Sequence, residues 1–175
     1  RSDAFGQARY QWVISSSVLK ELNDALQTEL QIVEPQIWRL GDILAGIPEV
    51  REQTKEQFVP QMVNFELVGG VNFNKGCYPG QEVVARSQYR GTLKRRAFVV
   101  HGSQPMSAGQ EVFSSADPGQ PAGMVVNAAP LPGTDNWSAL VELKLNALDS
   151  DLHVGTAGGA AIQLGQLPYE IPSAD

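Results

Sequence analysis

Ser138-Ala139-Leu140-Val141-Glu142-Leu143-Lys144-Leu145 is the stretch whose reading decides the fold. Ala139, Val141, Leu143 and Leu145 alternate with Leu140, Glu142, Lys144 and Asn146, the period of a half-buried strand. Further strand-like runs lie around it at residues 97–100, 111–113, 124–127, 152–154 and 160–164. Ser107-Ala108-Gly109, Asp117-Pro118-Gly119 and Pro132-Gly133 supply turns between them. Six short strands with no helix among them predict a small closed barrel, over residues 93–175.

Upstream the periodicity changes. Residues 10–14 are rich in strand formers, and Ser15-Ser16-Ser17 offers a cap for a helix after them. Val18, Leu19, Leu22, Leu26 and Leu30 keep the i, i+3/i+4 spacing of a helix with one buried face. After Pro35, residues 36–40 read as a second short strand. Residues 1–40 thus form a β-α-β piece, half of a ferredoxin-like unit. It has too few strands to stand alone, and with the polar opening Arg1-Ser2-Asp3 it reads as part of a longer chain. Residues 41–92 connect it to the barrel. A short helix at residues 43–45 is stopped by Gly46 and Pro48, and residues 49–57 are polar and exposed. A second helix is expected over residues 79–90, with Pro79 in its first turn, Gly91 at C′, and Arg86 and Arg90 near its C-terminal end. The class is α+β: a partial ferredoxin-like region, a connector, and a six-stranded antiparallel β-barrel.

Charge is unevenly spread. The chain carries −6 overall, yet Lys75, Arg86, Arg90, Lys94, Arg95 and Arg96 face only Glu82 between residues 75 and 101. That window is +5 and the remainder −11. It reads either as an anion-holding stretch or as a solvated charged face. The single Cys excludes an intramolecular disulfide framework and favours a reducing compartment. His101 and His153 lack metal-ligand spacing, so no metal site is expected. No apolar run approaches a membrane span.

Cys77 is the first candidate for chemistry. Just before a helix and two residues from Lys75, its sulfur would meet unpaired N–H groups and positive charge, which favour thiolate. The alternative is a buried Cys acting as a small apolar residue. Neither His is adjacent and no second Cys exists, so a Cys-His dyad is unsupported and a thioredoxin-like mechanism is excluded. Gly76, Gly80 and Gly91 would let backbone N–H groups approach an anion, or simply make turns. Trp38 either stacks on a flat ligand or fills a core.

The run Lys75-Gly76-Cys77-Tyr78-Pro79-Gly80-Gln81-Glu82-Val83-Val84-Ala85-Arg86-Ser87-Gln88-Tyr89-Arg90-Gly91 resembles the signature of the YgfZ family, K-G-C-Y/F-x-G-Q-E-x-x-A-R-x-x-x-R-G, at every specified position. The resemblance continues through Gln57-Phe58-Val59-Pro60-Gln61, Gly69-Gly70 and Leu167-Pro168-Tyr169. It spans essentially the whole chain, as the C-terminal half of such a protein. It implies a fold similar to the folate-dependent T-protein of glycine cleavage. It also implies tetrahydrofolate as ligand and a role in maintaining iron–sulfur clusters and, through them, tRNA modification. The implied partners are iron–sulfur proteins or their assembly machinery and tRNA-modifying enzymes in the cytoplasm, with neither membrane nor DNA. Cys77 is the implied functional thiol, and Trp38, Lys75, Glu82, Arg86 and Arg90 the implied folate-binding group. A pterin suits Trp stacking and its glutamate tail suits Arg and Lys. Glu82 would accept from pterin nitrogens or pair with Arg86 one turn on. Two other functions compete. A folate-dependent aminomethyltransferase needs a carboxylate that the resemblance puts outside this chain. An RNA-binding module fits poorly with an acidic, aromatic-poor barrel.

Overall fold

The computed structural model describes residue 6, residues 8–89 and residues 93–172. Six strands close into one antiparallel barrel: β1 Arg95–Gly102, β2 Glu111–Ser114, β3 Gly123–Pro130, β4 Trp137–Lys144, β5 Leu152–Val154 and β6 Ala160–Leu164. Their order around the barrel is β1-β4-β3-β2-β5-β6. The longest ladder joins β1 to β4, from Arg95 opposite Lys144 to Gly102 opposite Trp137. All six sequence-predicted strands are present, with bounds shifted by a few residues at most; the one expected over residues 138–145 ends at Lys144. A single 3-10 turn, Leu145–Ala147, interrupts the otherwise helix-free half.

One apolar cluster draws on every strand and fills the barrel, including Val100, Val112, Val125, Val141, Leu152 and Ile162. A second lies on the opposite faces of β1, β3 and β4, where Ala97, Val99, Val126 and Leu140 meet Val63, with Phe58 and Leu167 packed against them. β4 is therefore not half-buried, because Ser138 through Leu143 are all buried. The helical half of the chain covers its outer face, and a period-two pattern cannot anticipate that cover. Leu140 and Glu142 are the outward residues concerned.

Among the described residues, three α-helices lie outside the barrel: α1 Ser16–Glu29, α2 Pro35–Leu44 and α3 Gln81–Tyr89. Ser15 caps α1 as its side chain accepts from the Val18 N–H at 3.4 Å. The apolar stripe of α1 is real, but no residue of α1 is buried. Two expected strands are corrected. Residues 10–14 form no strand, and residues 36–40 are the first half of α2. Pro35 is the reason: at the first helical position it lacks only an N–H that the helix does not need, and its fixed φ starts the turn. Ile37, Leu40 and Leu44 then share a helical face. Leu40 and Ile43 pack on Ala129 of β3. The short helix expected at residues 43–45 is the end of this same element. Thr54 is an exception in the polar stretch 49–57, buried where its hydroxyl accepts from the Arg51 N–H at 2.9 Å.

Candidate functional site

The segment from Pro60 to α3 is tied to the barrel by polar side chains. Its anchor is a 3-10 turn, Pro60–Val63, ended by Asn64 in the left-handed conformation at φ 57°. Asn64 donates to the Ala97 carbonyl at 2.7 Å and accepts from the Ala97 N–H at 3.4 Å. It thus pairs with β1 where β6, which reaches only Val100 to Gly102, does not. Arg96, 5% exposed, donates to the Gln61 carbonyl at 2.9 Å and forms an ion pair with buried Glu66. Gln61 in turn donates to the Val84 carbonyl of α3 at 2.7 Å. Tyr169 completes the arrangement: its hydroxyl donates to the Gly46 carbonyl at 2.7 Å and accepts from Asn64 at 3.4 Å. Burial pushes its phenol above the usual range, so it stays a donor.

On this anchor sits the loop that precedes α3. Cys77 is a free, exposed thiol. Its neighbour Tyr78 is held twice, because its carbonyl accepts from the Gln81 N–H at 3.1 Å and its N–H donates to Gln81 Oε1 at 3.3 Å. The Lys75 ammonium lies 4.5 Å from the centre of the Tyr78 ring. Gly80, at φ 81°, makes the turn into the helix and accepts from the Val84 N–H at 3.3 Å. The helix therefore begins at Gln81, not at residue 79, and Cys77 stands four residues ahead of its first residue rather than two. The helix dipole falls off within about one turn, so it acts less on the sulfur than the sequence implied. Lys75 stands two residues from Cys77 in the chain, over the Tyr78 ring.

Glu82 and Arg86 are both exposed on α3. The i, i+4 ion pair weighed for them is absent, and neither has an ion-pair partner among the described residues. Arg90 and the expected C′ residue Gly91 lie outside the described residues. Trp38 is on α2, 38% exposed, with the Arg9 guanidinium 5.0 Å from its ring centre. Arg9 also pairs with Asp42 at 2.9 Å, so it lies over the indole with its own counter-ion. Lys75, Cys77, Glu82 and Arg86 thus share one loop-and-helix unit. No hydrogen bond, ion pair or ring contact joins Trp38 to that unit among the described residues.

The chemistry of this group fits a folate in part. A half-exposed indole suits a flat ring system, and unpaired Arg86 suits a carboxylate. None of the three clefts described contains either residue. No cluster of three or more His, Cys, Asp or Glu able to hold a metal occurs among them. No helix among them is long and apolar enough to cross a membrane.

Comparison with known proteins settles the relationship. The chain is 35% identical to the tRNA-modifying protein YgfZ of Sodalis glossinidius, across 93% of this chain and 51% of that protein. It is 31% identical to the protein of the same name from Cronobacter sakazakii, across 95% and 52%. Over a shorter stretch, 54% of this chain, it is 39% identical to that of Escherichia coli. The chain belongs to the YgfZ family. It spans about half the length of the curated relatives it matches. No protein-family profile matches it.

Within this YgfZ chain, sequence reasoning missed the anchor beneath the signature loop. Gln61, Asn64, Glu66, Arg96 and Tyr169 were not singled out as chemistry, although Gln61 and Tyr169 lie in two of the matched runs. The available signal was polar residues in otherwise apolar surroundings, which only a three-dimensional burial pattern distinguishes from surface ones. The basic window is likewise divided. Arg96 serves the anchor, and Arg95 is held by both oxygens of Glu142 at 2.9 Å.

Proposed function

We propose that this chain is the thiol-bearing part of a YgfZ factor that supports tRNA modification through iron–sulfur enzymes, with tetrahydrofolate as its ligand. The observation that carries the reading is Cys77: an exposed thiol on a loop held by Gln81, beside Lys75, within a run matching the family signature. An exposed thiol two residues from a lysine in the chain is suited to nucleophilic or soft-metal chemistry, and a packing role does not require exposure. Trp38 would stack on the pterin, while Arg86, Lys75 and Glu82 would serve its charged and hydrogen-bonding groups. When bound, the folate supplies one-carbon chemistry.

The test of the thiol is Cys77→Ser in the full-length protein, expressed in a strain lacking the factor. Modified nucleosides in bulk tRNA are then measured by mass spectrometry. Substitution at this exposed site should leave stability within about 0.5 kcal/mol of the parent. The modification should fall to the level of the deletion strain. Parental modification by the Ser variant would remove Cys77 from the mechanism. The ligand is tested separately by tetrahydrofolate titration. Trp38→Ala should weaken binding roughly three- to tenfold, the worth of one aromatic stack. Trp38→Phe should restore most of it. Unchanged affinity in Trp38→Ala would assign this residue to packing.

A further inference from the structure

The largest of the clefts described lies away from Cys77 and Trp38, at one end of the barrel. It has a volume of about 610 Å³. That is within the range of roughly 300–1,000 Å³ usual for small-molecule sites, which favour barrel mouths. Its apolar wall comes from Leu93, Ala116, Ala122, Leu145 and Ala147, and its charged lining from Lys94, Arg95, Lys144 and Asp117.

The charges are not balanced within the cleft. Arg95 and Lys144 are register partners on β1 and β4, and Lys94 is placed beside them because its carbonyl accepts from the Leu145 N–H at 2.9 Å. Like charges directly opposite each other repel, and Glu142 forms its ion pair with Arg95, acting on Lys144 only from a distance. Lys94 and Lys144 have no ion-pair partner among the described residues. Asp117, the single acid lining the cleft, is occupied by the side-chain amide of Gln120. Two lysines therefore line a partly apolar cavity with no ion-pair partner among the described residues, in a chain whose net charge is −6.

We propose that this barrel-end cleft binds a small amphipathic organic anion, with its apolar body against Leu93, Ala122 and Leu145 and its acidic group between Lys94 and Lys144. The acidic group is a carboxylate or a phosphate, for which two ammonium groups serve equally as point charges. This site is independent of the thiol and of the folate proposal.

Two probes test it on the full-length protein. They are 8-anilinonaphthalene-1-sulfonate and its uncharged counterpart N-phenyl-1-naphthylamine, followed by fluorescence and by amide chemical-shift mapping. The sulfonate should bind saturably, shifting the amides of Ala116, Asp117 and Asn146. The double variant Lys94→Gln/Lys144→Gln should weaken the sulfonate roughly tenfold, two exposed charge contacts at their usual worth, and leave the uncharged probe unchanged. Added salt should act in the same selective way. Ala116→Trp, at an exposed position on the cleft wall, should block both probes. Melting curves establish that each variant is folded. The proposal is overturned if the lysine variant binds the sulfonate like the parent. It is equally overturned if the shifts map to α1 or if Ala116→Trp leaves binding intact.

Discussion

Arg96→Met should lower stability by about 3–5 kcal/mol, the usual cost of leaving one partner of a buried ion pair alone. Arg96 and Glu66 side chains are 7% and 6% exposed, so the carboxylate left behind could not regain water without local opening. The Gln61 carbonyl and Asn64 Oδ1 would lose a donor at the same time. Glu66→Leu added to Arg96→Met should recover most of the loss, because no buried charge then remains. A residual of about 0.5–1.5 kcal/mol should persist for the lost guanidinium hydrogen bonds, since the Gln61 carbonyl keeps the Asn64 N–H at 3.2 Å and Asn64 Oδ1 keeps the Ala97 N–H at 3.4 Å. Urea denaturation of the four proteins gives the coupling energy directly. The two sites share partners, so non-additivity is the signal. The consequence for function is local. Gln61 links this pair to α3, so Arg96→Met should speed amide exchange from Lys75 to Arg86 more than in β3 or β4. A cost below about 1 kcal/mol would mean that water already reaches the pair and that the anchor is not what holds the thiol loop.

Legibility in the sequence depends on the range of each interaction. The barrel was legible because period-two alternation is local, and all six runs became strands. α1 was legible from Ser15 and its leucine spacing. Residues 36–40 were misread because five residues hold barely one helical turn, and Trp and Ile are common in strands. Pro35 was the deciding signal, and it was read as a break before the segment rather than as the first residue of a helix. The start of α3 was placed two residues early for the opposite reason. Pro79 is permitted in a first turn, but Gly80 at φ 81° delays the helix to Gln81.

The candidate site was legible only where it is contiguous. Cys77, Lys75, Glu82 and Arg86 fall on one unit because they are neighbours in the chain. The roles of Arg95 and Arg96 were hidden, since their carboxylates Glu142 and Glu66 lie 47 and 30 residues away. A charge window cannot find such partners. Nor does it show that burial acts on Glu142. Burial raises its carboxyl above the ordinary range, while the bond and charge of Arg95, and then the charge of Lys144, pull it back. The folded state therefore holds that proton more tightly than the unfolded chain. Its contribution to stability falls as pH rises from the unfolded value through the raised one.

Gly123→Ala should be the most damaging single-methyl change in the barrel, costing more than about 4 kcal/mol, beyond the range of ordinary substitutions. A Cβ at Gly123 would stand 2.0 Å from the Glu142 carbonyl oxygen and 2.8 Å from Leu143 Cδ2. The leucine can turn aside, but the carbonyl belongs to a strand. β4 is fixed on its other side by the β1 ladder, where Ala97 faces Glu142 and Arg96 faces Leu143. β3 cannot retreat either, because Gly123 also pairs with Val112 of β2, and the Ala122 N–H donates to the Val112 carbonyl at 2.7 Å. Relief thus requires opening the β3–β4 contact at the end of the barrel where Lys144 N–H meets the Ala122 carbonyl at 2.9 Å. Closure removes every free edge of the sheet, and a break there would expose two at once. Gly158→Ala is the control. Nothing lies within 4 Å of its Cβ and its φ is not in the left-handed region, so it should stay within about 0.5 kcal/mol of the parent. Thermal melts of both variants decide the matter. If Gly123→Ala melts beside Gly158→Ala, this end of the barrel yields readily, and the cleft bounded by Ala122 and Lys144 is not a preformed site.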